Sequence, residues 1–217
     1  MTTRRWAFDP QTFVTTVGKG RKLVSVGKGQ TIYAQGDAAD ALFVIKKGTV
    51  KLSVKSRAIE ATLDILSDKD FVGKDSLTGR SSRTASATAI TDCTLLRIEK
   101  KAMMLALTRN VKLSNLVLAY ALAKNIRYQQ DLVDQHCNPS EKRLAHILLR
   151  LAHYDGHGAS ETTVPKIRHE TLAEMVGTTR SRVCFFMKRF KQSGFIDYEH
   201  KGKTLRVNRT LLAFSGQ

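Results

Sequence analysis

Residues 169 to 190, "HETLAEMVGTTRSRVCFFMKRF", can satisfy their apolar side chains in few ways. Leu172, Ala173 and Val176 share one face of a short helix, and Val183, Phe186, Met187 and Phe190 fall at i, i+3, i+4 and i+7 on one face of a second. Gly177 stands between them, where a tight turn needs backbone freedom that only glycine has without penalty, and Ala173 is small enough for two helices to cross closely. The spacing predicts a helix-turn-helix. Two packed helices with no ligand would account for the apolar face but not for the opposite one, which carries Thr179, Arg180, Ser181, Arg182, Lys188 and Arg189.

That face suits double-stranded DNA. Thr178 and Thr179, at the start of the second helix, are placed to donate to a backbone phosphate beside the helix N-terminus. Arg180 has the reach and fork geometry for guanine edges in the major groove; Ser181 can reach a base and Arg182 can hold a phosphate. Phe185 fits contact with a thymine methyl as well as it fits simple packing. The segment 194 to 208, "GFIDYEHKGKTLRVN", reads as a hairpin whose tip carries Lys201 and Lys203, a basic wing for adjacent phosphates.

Overall charge points the same way. Thirty-six Lys and Arg oppose nineteen Asp and Glu, a formal +17 over 217 residues, which favours a nucleic-acid partner but by itself supports only non-specific attraction. Cys93, Cys137 and Cys184 are odd in number and far apart, so neither a disulfide framework nor a zinc spacing is present, and the expected compartment is the cytoplasm. The longest apolar run, "LVLAYALA", is too short to span a bilayer, so no membrane partner is expected. Acid/base pairs, nucleophile–base spacings and phosphate-transfer motifs are not evident, and no enzyme is expected.

Upstream, the pattern is that of an α+β chain. From Lys22 to Arg97, short alternating segments such as Val50, Leu52 and Val54 against Lys51, Ser53 and Lys55 are separated by turns at Gly27, Gly36, Gly48 and Gly73, predicting an antiparallel β-roll over residues 1–110. The period then becomes helical. Leu116, Ala119, Ala123, Ile126, Gln130 and Val133 recur by threes and fours along residues 111–137, a dimerisation seam on a helix that over residues 111–136 runs about 39 Å at ~1.5 Å per residue. Burial within its own domain explains the early part of that helix adequately and the later, mostly polar part poorly. "NPSE" comes next, with Asn138 as cap, Pro139 in the first turn and Glu141 at the capping-box position, opening a winged helix-turn-helix domain over residues 138–217. A homodimer would present two such heads to successive major grooves, roughly 34 Å apart, on a near-palindromic site.

This order of parts resembles the Crp/Fnr family of bacterial transcription regulators, through "QGDAADALFVIKKGTVKLSV", "DFVG" to "SRTASATAITDCTLLRI", and "ETLAEMVGTTRSRV" followed by "SGFIDY". The resemblance implies a roll of the cyclic-nucleotide-binding type in which residues 73 to 85, "GKDSLTGRSSRTA", form a phosphate-binding cassette. Gly73 then allows close backbone approach, Arg83 pairs with phosphate oxygens, and Thr84 with the Ala85 amide donates further bonds. Members that bind cyclic AMP usually carry a glutamate after that glycine to accept from the ribose; here the residue is Lys74, a donor only, with Asp75 beside it as a replacement if the loop shifts. Gln129 and Gln130 lie where the family contacts the base, and both equally suit pairing across the seam. Three effector readings stay open: a cyclic nucleotide (cAMP or cGMP), a more anionic ligand matched to Lys74 and Arg83, or none. No iron–sulfur cluster is expected, because the first 92 residues hold no cysteine. The loop "HYDGHGASE" lies where activators of the family touch RNA polymerase, a contact that simple repression does not need. A ligand-independent architectural DNA binder is the reading from another class.

Overall fold

The run "ALFVI" in residues 41–45 is apolar without alternation, as a strand covered on both faces must be. In the computed structural model, which describes residues 20–57, 59–152, 161–199 and 202–215, this run is strand β3 (Ala41–Lys47). Leu42 and Val44 pack toward helices, while Ala41, Phe43 and Ile45 pack between sheets. Fully burying such a side chain contributes about 1.5–3 kcal/mol, so β3 and the similarly placed strand β8 (Cys93–Glu99) anchor the domain.

The chain divides into two compact units, one ending at Tyr128 and one beginning at Gln129. In the first, strands β1 (Arg21–Val26), β8, β3 and β6 (Phe71–Val72) form one antiparallel sheet. Strands β2 (Thr31–Tyr33), β7 (Ser86–Ala89), β4 (Val50–Ser56) and β5 (Ile59–Leu66) form the other. The clean alternation expected of β4 is absent. Val50 is fully buried, Ser53 is nearly so, and Val54 is only half-buried; beside them the β4–β5 register slips, with Leu52 opposite Asp64 and Ser53 opposite Thr62. Skipping one residue of β5 changes which of its side chains oppose the inward face of β4.

Helix α1 (Lys100–Arg109) closes the roll. Asn110 leaves helical geometry and caps the next helix, its Oδ1 accepting from the Leu113 amide at 3.0 Å. Helix α2 (Val111–Cys137) then runs for 27 residues. Leu113 is its only fully buried residue with a described side chain, and Leu116, Val117 and Tyr120 lean on the roll core, Tyr120 edge-on to Phe71 at 4.8 Å.

The second unit contains helices α3 (Ser140–Leu151), α4 (His169–Val176), α5 (Arg180–Gln192) and α6 (Leu211–Ser215). Strands β9 (Glu161–Pro165), β10 (Ile196–Glu199) and β11 (Thr204–Asn208) form a sheet of order β10-β11-β9. Two local expectations are corrected. Asn138 does not cap α3: the N-cap is Pro139, with no side-chain hydrogen bond, and the Asn138 amide turns back to Asp134 Oδ1 at 2.7 Å. The hairpin is also joined by a third strand, β9, whose β-branched "TTV" was a readable but overlooked signal. Every apolar residue expected to face inward from α4 and α5 does so. Among the described residues no helix is long and apolar enough to cross a membrane.

Candidate functional site

The turn between α4 and α5 is built for a tight crossing. Gly177 has φ of 68°, left-handed backbone, and a Cβ there would lie 2.4 Å from Gln135 Nε2. Arg143 on α3 secures this turn, donating to Val176 O at 2.9 Å, Asn138 O at 2.9 Å, Gln135 O at 3.2 Å and Gly177 O at 3.5 Å. Sequence reasoning passed over Arg143; a cation inside the apolar helix "KRLAHILLRL" was the available signal.

From that turn α5 projects one basic face. Thr179 is its N-cap, with Oγ1 accepting from the Arg182 amide at 3.3 Å, so the hydroxyl first serves the helix and keeps only its hydrogen for an outside acceptor. Thr178 is half-buried; Thr179, Arg180, Ser181, Arg182, Phe185 and Lys188 are exposed. Phe185 is 62% exposed and, among the described aromatic rings, meets only Phe186, edge-on, so core packing does not account for it. Arg180 Nε lies 2.7 Å from Glu170 Oε1, both side chains being more than half exposed. Arg189, on the same helix, is instead tied to Glu141 at 3.2 Å. Lys203 is exposed at the hairpin end; Lys201 and residues 153–160 of the loop read as a polymerase contact lie outside the described residues. Beneath the basic face His169 Nδ1 sits 3.0 Å from Cys184 Sγ, and burial holds the imidazole below its ordinary pKa.

In the first unit the fold brings Gly73, Lys74, Asp75, Arg83 and Thr84 together. Gly73 is left-handed, φ 79°, and a Cβ on it would lie 2.6 Å from Arg83 Nη1. The Arg83 side chain is 1% exposed and packs over the Tyr33 ring at 4.3 Å. It donates from Nη2 to Ala41 O at 2.6 Å, and from Nη1 to Gly73 O at 3.2 Å and Asp75 Oδ1 at 2.9 Å. Asp75 Oδ2 in turn accepts from the Thr84 amide at 2.9 Å and Thr84 Oγ1 at 3.3 Å. Asp75 is therefore turned onto Arg83 and Thr84. Burial, with the Asp75 charge adding to it, drives the Tyr33 phenol well above its usual range. The Ala85 side chain is buried.

Lys74 faces a different group of residues. Its Nζ lies 5.5 Å from the Tyr120 ring and 5.7 Å from that of Tyr128, with no hydrogen bond or ion pair among the described residues. Around it Asp64, 1% exposed at its side chain, is paired with Arg127 and contacted by Tyr128 Oη at 3.4 Å. Asp70 is paired with Lys124 at 2.8 Å and accepts from Tyr120 Oη at 2.8 Å. Lys124 and Arg127 thus take both carboxylates, and Lys74 is held below the ordinary lysine pKa first by burial and then by the Lys124 charge. Burial and Asp64 push the Tyr128 phenol up to about 12. Gln129 and Gln130 are exposed on α2, beyond the first unit.

Along α2 the outward apolar stripe is Leu118, Leu122, Ile126, Leu132 and Val133, all 54–61% exposed, with Ala123 exposed and Ala119 half-buried beside it. Of the expected seam residues, Ala123, Ile126, Gln130 and Val133 are exposed. Leu116 is half-buried against the roll core, and the stripe is rotated from the expected one by about one residue, roughly 100°. Ile126 and Val133 belong to both.

Comparison with known proteins matches this geometry to a lineage. Residues 23–110 fit the profile of the cyclic nucleotide-binding domain, and residues 142–213 that of the Crp-like helix-turn-helix domain. The cyclic AMP receptor protein of Thermus thermophilus is 31% identical over 173 residues, covering 78% of this chain and 76% of that one. The chain belongs to the Crp/Fnr family. It is a DNA-binding transcription regulator of that family with a cyclic-nucleotide-binding-type domain. The CRP-like cAMP-activated global transcriptional regulator of Mycobacterium tuberculosis is 26% identical over 191 residues, 87% of this chain and 85% of the relative. FixK2 from Bradyrhizobium japonicum shares the fold, with a TM-score of 0.77 at 15% identity, covering 90% of this chain and 96% of that one.

Proposed function

We propose that this Crp/Fnr regulator works as a homodimer on near-palindromic DNA, with α5 reading bases and a phosphate-bearing effector addressed by the roll. The observation that carries the DNA reading is the two-sidedness of α5. Val183, Phe186, Met187 and Phe190 are buried, while Arg180, Ser181, Arg182, Phe185 and Lys188 stand in solvent. Arg180 contacts base edges, Thr178, Thr179, Arg182 and Lys188 hold phosphates, Ser181 and Phe185 complete the base contacts, and the wing lysines Lys201 and Lys203 meet the flanking backbone. Pairing of two chains through α2 is supported by its unpartnered stripe, since five large apolar side chains more than half exposed are a poor solvent face.

A cyclic nucleotide, cAMP or cGMP, is the first effector class to consider. Two relatives are named for cyclic AMP, and Arg83 and Thr84 are donors that converge here on the Asp75 carboxylate, a group of the same charge and acceptor type as a phosphate. Gln129 and Gln130 are placed on α2, the helix that supplies the seam.

Selection from a random duplex pool tests the regulator reading, together with sedimentation of the protein and of Leu122→Glu. The expected result is a two-fold symmetric motif with half-sites about one helical turn apart, bound by a dimer that Leu122→Glu dissociates. Binding that shows no preferred motif and depends only on salt would favour an architectural role and remove the regulator reading.

A further inference from the structure

We infer that the Asp75 carboxylate is a resident stand-in for the effector's phosphate, so that a phosphate-bearing ligand enters the roll only by displacing it. This rests on reading the roll as the effector domain. The guanidinium of Arg83 and the amide and hydroxyl of Thr84 are a donor set suited to any oxyanion. In this protein all three already end on one side chain, at 2.9 Å from Arg83 Nη1, 2.9 Å from the Thr84 amide and 3.3 Å from Thr84 Oγ1.

The two halves of this arrangement differ in freedom. Arg83 cannot leave: it is buried, bonded to Ala41 O and Gly73 O, and packed over Tyr33. Asp75 sits on the 3-10 turn Lys74–Thr78, its side chain is 13% exposed, and Thr84 opens to solvent. The seat is therefore fixed and its occupant can be moved. With Asp75 in place the Arg83 charge is already balanced, and an incoming phosphate meets a carboxylate, a like charge that opposes it. A carboxylate held on the same chain also competes at an effective concentration no dilute ligand matches. Asp75 thus raises the effector concentration that the roll needs, rather than replacing a ribose acceptor.

The full-length protein, Asp75→Ala and Asp75→Asn are titrated calorimetrically with cAMP, cGMP and inorganic phosphate at constant ionic strength, and their melting temperatures followed. Asparagine keeps the volume and one carbonyl acceptor, for either Arg83 or Thr84, which limits loss of fold. Both variants are expected to bind at least one of the two nucleotides about tenfold or more tighter than the unaltered protein, and to melt higher in its presence by more than the unaltered protein does. Binding of the nucleotides by the unaltered protein as tight as by both variants overturns the inference. So does failure of both nucleotides and phosphate to bind or stabilise either variant, which is the behaviour of a merely structural ion pair. DNA selection with the same preparations separates the two readings. A symmetric motif without any gain at Asp75 sinks this inference alone, whereas absence of a motif sinks the regulator reading whatever Asp75 does.

Discussion

Arg180→Ala tests the DNA interface most directly. In the free protein Arg180 Nε rests 2.7 Å from Glu170 Oε1, with side chains 68% and 54% exposed. Two partners so open to solvent hold each other weakly, because water and salt screen the pair. Releasing Arg180 to DNA therefore costs little, whereas a bidentate contact to guanine contributes about 1–3 kcal/mol of discrimination. The substitution should lower preference for one base pair in each half-site by roughly 5- to 150-fold. Fluorescence anisotropy on the selected duplex and its single-base-pair variants, at two salt concentrations, measures this. A phosphate-only role gives a different pattern: all sequences weaken alike and the salt slope falls by about 0.9 for each half-site, about 1.8 for the dimer. Unchanged base preference with that slope change would refute the base-reading role. Glu170→Gln supplies the opposite sign, freeing Arg180 and tightening specific binding a few-fold at most; weaker binding would mean that Glu170 orients Arg180 rather than detaining it.

Gly177→Ala should destabilise the DNA-binding unit by about 1–2 kcal/mol, the cost of left-handed backbone for a residue with a Cβ. The Cβ also comes 2.4 Å from Gln135 Nε2, but that amide ends a flexible side chain, so Gln135→Ala should restore only a minor part; denaturant unfolding decides, and an unaffected midpoint would contradict the strain. Asp70→Asn addresses the roll. Burial alone would raise the Asp70 carboxyl, but the Lys124 ammonium and hydrogen bonds from Lys124, the Ser67 amide and Tyr120 outweigh it and hold the group below 3.8. Its folded pKa lies below its unfolded one, so its stabilisation is present above the unfolded value and lost as pH falls through the folded one. Asp70→Asn should therefore be less stable at neutral pH and lose less on acidification below pH 3.8; an acid limb as steep as that of the unaltered protein would refute the assignment.

Local spacing carried the parts of this protein that depend on neighbours in the chain. Leu172, Ala173, Val176, Val183, Phe186, Met187 and Phe190 announced two amphipathic helices, and all seven are buried. Gly177 marked their turn, and the hairpin at residues 196–208 was legible from its flanking strands and central glycine. Only tertiary structure decided which face of α2 is left open, because a heptad pattern does not say which side the roll core has already taken, and Leu116 was taken. The same limit applies to Arg143, whose carbonyl partners lie up to 34 residues away, and to Ser53, whose burial accompanies a register slip between paired strands. It applies most to Asp75. Eight and nine residues separate it from Arg83 and Thr84, too far for any helical or strand period to couple them. The chain turns back at Gly79, in left-handed conformation, and closes that distance. The family resemblance pointed to Arg83 and Thr84 as donors; the fold determined that a carboxylate of the same chain accepts from both.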